Sequence, residues 1–576
     1  MQQTWLPSVN NSPPPVKRLY AAAFALIWTL PFIRALLLLG QYSVNVFFGD
    51  DFDCGNFLNL ARSTAVGWGD LIAQHNESRF LTLRSLTLVL ASLHRPFDIR
   101  LLMLASLATV GFTAWMLLRL TCRTFASRST AWLVAILINL LLFLPSQWLN
   151  FLWGVQWIVF VPMAALATGL VFLDETVPLK IGWPIAAVAA AFANYTNSNG
   201  FLIWVLLLLP QLWRRSPHRA ASITGWVVFA SASIGYYFHG YVRPPGQSPA
   251  WIAIAHPAES LGFLLAFLGN GLRCSDRPVV AIWIGGVATA LLALACGFLC
   301  ISCDRSLVRK ALPWMILACY SILSGMLATA GRFTLGTLGA ITPRYSTFAI
   351  PFHIALVVLW TLASQARGLH RQTVRSITAA ILIATVLLCL QSNRFVGGEM
   401  KHYRAARLTS LAMVQWSEVI TDDASTAHAL FPSPSYAYAV LAGLKQNGYL
   451  PPKLFFNSDQ IDGVLDESAQ SRSAGKIEST TFTESGLHLT GWAQLPENHR
   501  SADAVLIAAR TPDGHSQIIA ITGDVRRNHP ASGKSADLGW DCTLPRATIR
   551  QKGTKLSAWA YDAVERKVFR LDGTVP

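Results

Sequence analysis

Between residues 20 and 392 the sequence returns repeatedly to apolar runs close to the length of about 20 residues that a helix needs to cross a hydrocarbon core, and nothing else constrains the fold as strongly. The runs lie near 20–40, 100–119, 131–148, 156–173, 181–196, 199–213, 221–239, 279–302, 311–330, 346–365 and 376–392, which makes eleven expected spans. Of the 576 residues 53% are apolar and only 13% charged, far from soluble composition. A mostly α-helical polytopic membrane protein is expected.

Charge supports this reading and orients it. Residues 1–392 carry 26 Lys and Arg against 11 Asp and Glu, whereas the remainder carries 20 against 19. Cations concentrated in a membrane half reflect loop topology and lipid headgroups, which argues against nucleic acid as a partner. Residues 1–19 are polar and proline-rich, and the apolar run behind Lys17 and Arg18 lacks a small-residue cleavage site, so it reads as a retained signal anchor. With the N-terminus cytoplasmic, the clusters Arg119/Arg123/Arg128, Arg214/Arg215/Arg219, Arg305/Arg309/Lys310 and Arg367/Arg371/Arg375 all fall on the inner side. The loop 41–99 and everything after 392 then lie outside. The stretch FLTLRSLTLVLASLH, 80–94, offers only about 22 Å of helix against about 30 Å of hydrocarbon, so it is expected at the outer interface, as is 261–272.

Beyond the last run the composition changes. Residues 393–475 read as a helical connector ending in the turn YLPPKLFF, and 476–576 as a β-sandwich built from LHLTGWAQL, DAVLIAA, SQIIAITG, LSAWAYDA and KVFRL between turn signals. Trp559 and Tyr561 share a strand face and are expected in the core rather than stacked on sugar rings. Cys296, Cys300 and Cys303 end a span with no histidine nearby and read as packing rather than a metal cluster.

The acids of the membrane half are distributed unevenly. Five of its 11 carboxylates, Asp50, Asp51, Asp53, Asp70 and Glu77, fall between positions 50 and 77, and none sits deep inside an expected span, which argues against an ion-coupled carrier. Asp53 is placed to cap the amphipathic helix that follows. Asp50 and Asp51 repel one another unless a cation, a proton or an arginine compensates, and adjacent carboxylates suit proton abstraction from a hydroxyl or a divalent ion. His75, Glu77 and Arg79 crowd the same loop in AQHNESRF. On the same expected face, GRFTLGTLGAITPRYSTF, 331–348, brings Arg332, Arg344 and Tyr345. Arginine's planar fork fits phosphate oxygens, while snorkelling to anionic headgroups is the rival explanation for either side chain.

The acidic pair after the first span, the HNESR segment, WGVQW at 153–157 and the late arginine segment together resemble bacterial membrane glycosyltransferases of the GT-C superfamily, over roughly residues 15–392. That resemblance implies a sugar taken from a polyprenyl-phosphate donor and passed to a glycan or lipid-linked acceptor at the periplasmic face of a bacterial inner membrane. It implies Asp50 or Asp51 as catalytic base or as ligand of a divalent cation (Mg or Mn), and Arg79, Arg332 and Arg344 around the lipid phosphate. His75, Glu77 and Tyr345 support that cleft. Ser78 stands where the family often has a second histidine. The alternatives are a glycan polymerase or ligase acting on lipid pyrophosphates, and a lipid-glycan flippase.

Overall fold

A computed structural model describes residues 15–301, 304–366, 371–461, 474–497, 499–511, 514–525, 538–546 and 555–573. The chain divides into two compact units. One comprises Met1–Gln41, Trp68–Leu83 and Leu102–Gly398, and the other Tyr42–Gly67, Arg84–Leu101 and Glu399–Pro576.

Unit 1 is helical. Among the described residues, eight helices are long and apolar enough to cross a membrane: Arg18–Tyr42, Arg100–Thr124, Arg128–Leu152, Gly154–Phe172, Pro278–Ile301, Arg305–Ala340, Pro343–Ala363 and Arg371–Trp416. The other three expected spans fall on the short helix Leu179–Asn194, on Ser198–Trp213, which breaks at Leu207, and on Arg219–Phe238. The segment at 80–94 is the 13-residue helix Leu81–Leu93.

Burial ranks these helices. Every residue of Ser346–Ala363 is buried, and nearly every one of Trp157–Phe172, so these two are apolar all round because protein surrounds them. Pro278–Ile301 instead exposes Trp283, Val287 and Leu294, an apolar face suited to lipid. The segment at 261–272 forms the helix Pro257–Gly269 and a 3-10 turn, packed against Pro278–Ile301. A Cβ on Gly285 would lie 2.0 Å from the Leu265 carbonyl oxygen, so glycine is what lets these two backbones touch. A two-stranded hairpin, β1 (Gln74–His75) with β2 (Ser78–Arg79), precedes Leu81–Leu93.

Unit 2 contains the helix Asp51–Ser63, which packs on Pro434–Gln446, and seven strands. They are β3 (Gly475–Phe482), β4 (Gly486–Ala493), β5 (Ala504–Arg510), β6 (Ser516–Thr522), β7 (Gly539–Pro545), β8 (Leu556–Asp562) and β9 (Lys567–Arg570). The antiparallel sheets β3-β4-β7 and β6-β5-β8-β9 enclose a core that includes Leu489, Ile507, Trp540, Leu544, Ala558 and Phe569. The two Gly-Trp dipeptides pair reciprocally, Gly491 opposite Trp540 and Trp492 opposite Gly539. A Cβ at Gly491 would sit 2.0 Å from the Lys476 carbonyl oxygen and 3.0 Å from the Trp540 ring, so the absent side chain lets β3 and the indole both close in. Tyr561 is fully buried and Trp559 nearly so, but on the face of β8 turned away from that core, where Tyr561 packs against Trp416 and Phe456.

One helix runs unbroken from Arg371 to Trp416 and joins the last expected span to the connector. Its end anchors the sandwich: Tyr561 donates its hydroxyl hydrogen to Gln415 Oε1 at 2.7 Å, and Gln415 Nε2 donates to the Ala563 carbonyl at 3.0 Å. One expectation is corrected: Asp53 is not the helix cap. That position falls to Asp50, which makes no side-chain cap bond, while Asp53 lies in the first turn and pairs with the buried Arg84 at 3.1 Å. An arginine outcompetes a backbone N–H for a carboxylate. Cys303 and residues 462–473 lie outside the described residues.

Candidate active site

In unit 1 the hairpin β1–β2 turns at Asn76, whose φ of 48° is tolerated by asparagine better than by most residues. The His75 ring stacks on Phe80 with centroids 4.6 Å apart. Ser78, standing in place of a second histidine, is buried and accepts a hydrogen bond from the Ser198 backbone N–H at 3.2 Å. Arg79 is 6% exposed and works as a strut. Its Nε donates to the Tyr237 carbonyl at 2.7 Å, Nη1 to Ile72 at 2.9 Å and Nη2 to His239 at 2.6 Å. Tyr237 returns a bond from its hydroxyl to the Glu77 carbonyl at 2.5 Å. All three Arg79 nitrogens are thus engaged with backbone.

The helix Arg305–Arg332 leads into a 3-10 turn (Phe333–Leu335), the short helix Gly336–Ala340 and a second turn, Pro343–Tyr345. Arg332 reaches back 255 residues to Glu77, its Nη2 lying 3.4 Å from both carboxylate oxygens, with both side chains about one-third exposed. Ser248 steadies the segment, its N–H donating to the Gly331 carbonyl at 3.2 Å and its hydroxyl bonding Thr334. Arg344 differs from both other arginines. Its guanidinium lies 5.5 Å from the Tyr345 ring centroid, and among the described residues no carboxylate pairs with it.

In unit 2 a tight turn presents the acidic pair. Gly49 takes φ 52° and donates its N–H to the Leu430 carbonyl at 2.8 Å, and the Asp51 N–H closes onto Phe48 at 3.1 Å. The turn separates the two carboxylates: Asp51 is 1% exposed, whereas Asp50 is partly open to solvent. Arg407 is also buried. Its guanidinium carbon lies 3.4 Å from the Phe48 ring centroid and Nη1 donates to the Ala429 carbonyl at 3.1 Å. Arg407 also lines a cavity of about 1220 Å³ whose walls carry Asp422, Ser425, Thr522, Asp524 and Asp541. Burial, then Asp53 and Asp51, push the Cys54 thiol well above its usual range, so it is no nucleophile.

Glu77 and Arg332 are therefore brought together, while Asp50 and Asp51 belong to one unit and His75, Arg79, Arg332, Arg344 and Tyr345 to the other. Two residues escaped sequence reasoning. Tyr237 carries no motif. Arg407 stands four residues after Tyr403, a same-face spacing in a helix the sequence does indicate. No group of three or more His, Cys, Asp or Glu side chains gathers as metal ligands do among the described residues. Asp50 and Asp51 would thus supply only part of a divalent cation's shell, the rest coming from substrate oxygens and water.

No protein-family model matches the chain, and no curated protein matches it. Among solved structures, ArnT from Cupriavidus metallidurans in the apo state aligns over 70% of this chain and 80% of its own, at 13% identity and a TM-score of 0.39. A likeness that loose assigns no activity, and the chemistry has to be read from the residues.

Proposed function

We propose that the protein is a multi-pass membrane glycosyltransferase of the GT-C type that moves a sugar from a polyprenyl-phosphate donor to a glycan or lipid-linked acceptor at the periplasmic face of a bacterial inner membrane. The observation that carries this reading is the division of labour among its charged groups. A partly exposed carboxylate, Asp50, is presented on a rigid turn, and a cation without a carboxylate partner, Arg344, ends a bundle of apolar helices. Asp50 takes the proton from an acceptor hydroxyl as that oxygen attacks the anomeric carbon. The bond between that carbon and the phosphate oxygen breaks, and the polyprenyl phosphate departs as an anion that needs no general acid. Arg344, joined by Arg332 when it leaves Glu77, receives the developing negative charge. Arg79 positions the loop instead of binding phosphate. Asp51, buried where its N–H closes onto Phe48, keeps the Asp50 turn in shape.

The test is direct. Full-length protein in proteoliposomes, supplied with polyprenyl-phosphate sugar and extracted envelope lipids, is expected to release polyprenyl phosphate and form a new glycosidic bond detectable by mass spectrometry. Movement of lipid-linked glycan across the vesicle with no new bond would replace this reading with transport.

A further inference from the structure

We infer that Asn150 and Asn270 are positioning residues for Arg344, two buried amides that fix the backbone of its turn so that the guanidinium meets an anionic ligand already oriented. The inference rests on the phosphate-binding role proposed for Arg344.

Three 3-10 turns from distant parts of unit 1 meet here: Pro145–Gln147, Asn270–Leu272 and Pro343–Tyr345. Asn150 Nδ2 donates to the Arg344 carbonyl at 2.9 Å, and Asn270 Nδ2 donates to the Thr342 carbonyl at 2.8 Å. One amide thus holds the carbonyl before the Pro343–Tyr345 turn and the other a carbonyl within it. Hydroxyls brace the same turn from its helical side. Ser346 Oγ bonds the carbonyls of Ser146 and Asn270, both at 3.1 Å, and Thr347 Oγ1 donates to Gln147 Oε1 at 2.7 Å while accepting from Asn150 at 2.7 Å.

Asn150, Asn270, Ser146 and Ser346 are all fully buried. Polar side chains inside an apolar bundle cost free energy unless bonded, and apolar residues of similar volume would hold the same helices with none of that cost. The amide oxygens sharpen this point. Oδ1 of each asparagine is buried with no hydrogen-bond partner among the described residues, because the amide must turn its nitrogen to the carbonyl it holds. What the arrangement does deliver is a backbone with little freedom at the one arginine in this segment whose guanidinium lacks a carboxylate.

The experiment compares Asn150→Leu and Asn270→Leu, which keep volume and remove the donors, with Arg344→Ala in full-length protein in zwitterionic nanodiscs. Binding of polyprenyl phosphate without a sugar is measured, and then KM and kcat for the sugar-bearing donor. Each Asn→Leu variant is expected to weaken phosphate binding about tenfold and to raise KM with kcat nearly unchanged, while remaining folded at a melting temperature lowered by the carbonyl left without its donor. Thr347→Val, which deletes the hydroxyl between Asn150 and Gln147 at constant shape, carries the same expectation if an asparagine variant does not accumulate. Arg344→Ala weakening binding while all three of the others bind like the parent overturns the inference and leaves the Arg344 role standing. Parent-like binding by Arg344→Ala overturns the role itself, and the inference with it.

Discussion

In the hairpin that ends at Arg79 the fold grips the arginine side chain, spending its guanidinium on the carbonyls of Ile72, Tyr237 and His239. In the turn that contains Arg344 it grips the backbone on either side and leaves the guanidinium to a single aromatic neighbour. Both arginines belong to the same unit, and the family resemblance implies a phosphate-binding role for both. The difference shows that an arginine becomes a strut or a ligand according to which of its parts the surroundings satisfy. Arg332 stands between these extremes, paired with Glu77 at a length that a phosphate can outcompete.

The largest effect separating the two regions is expected from Arg79→Ala. Three backbone carbonyls lose charged donors in a buried site, which should cost on the order of 3–5 kcal/mol and show as low yield or a markedly lower melting temperature. Arg344→Ala is the opposite case. Its melting temperature should stay near the parent's while sugar transfer falls about 10²–10³-fold, the scale of removing one donor to a developing anion. If Arg79→Ala folded normally and lost only activity, the strut and the ligand would have been assigned the wrong way round. Glu77→Gln should have a smaller effect, tightening polyprenyl-phosphate binding by no more than a few-fold because a solvent-exposed ion pair contributes about 0–1 kcal/mol.

The smallest signal is a titration. The Tyr241 phenol is held above its ordinary range by burial first and by the Glu77 carboxylate second. Its folded pKa exceeds the unfolded one, so the contribution to stability is fully present below the unfolded value of about 10 and is lost as pH rises through the folded value. Removing the Glu77 charge should lower the tyrosinate absorbance midpoint, and an unchanged midpoint would detach Glu77 from this side of the loop.

Much of the architecture was legible because membrane spans and sheet strands leave periodic signals. The Gly-Trp repeats were visible, although their reciprocal pairing was not. β3 went unread because GKIESTTF is exposed along almost its whole length and so lacks alternation, and β7 because it was seen only as part of that repeat. At the candidate site the residue types were legible and their roles were not. Arg79 is fixed by backbone carbonyls, which any sequence supplies, so no side-chain pattern announces the strut. Asp53 looked like a cap until Arg84, 31 residues on, claimed its carboxylate. Asp50 and Asp51 look equivalent in sequence. They separate only because Gly49 tightens the turn, leaving Asp51 buried and Asp50 partly exposed.

That last separation is the most direct test of the proposed chemistry. Sugar transfer from polyprenyl phosphate should be measured for Asp50→Asn and Asp51→Asn in proteoliposomes, alongside their melting temperatures. Asp50→Asn is expected to melt like the parent and to transfer about 10²–10⁴-fold more slowly, the loss expected when a general base is removed. Asp51→Asn should lower the melting temperature through its buried site. Undiminished transfer by a folded Asp50→Asn protein would contradict the assignment of Asp50 as the base.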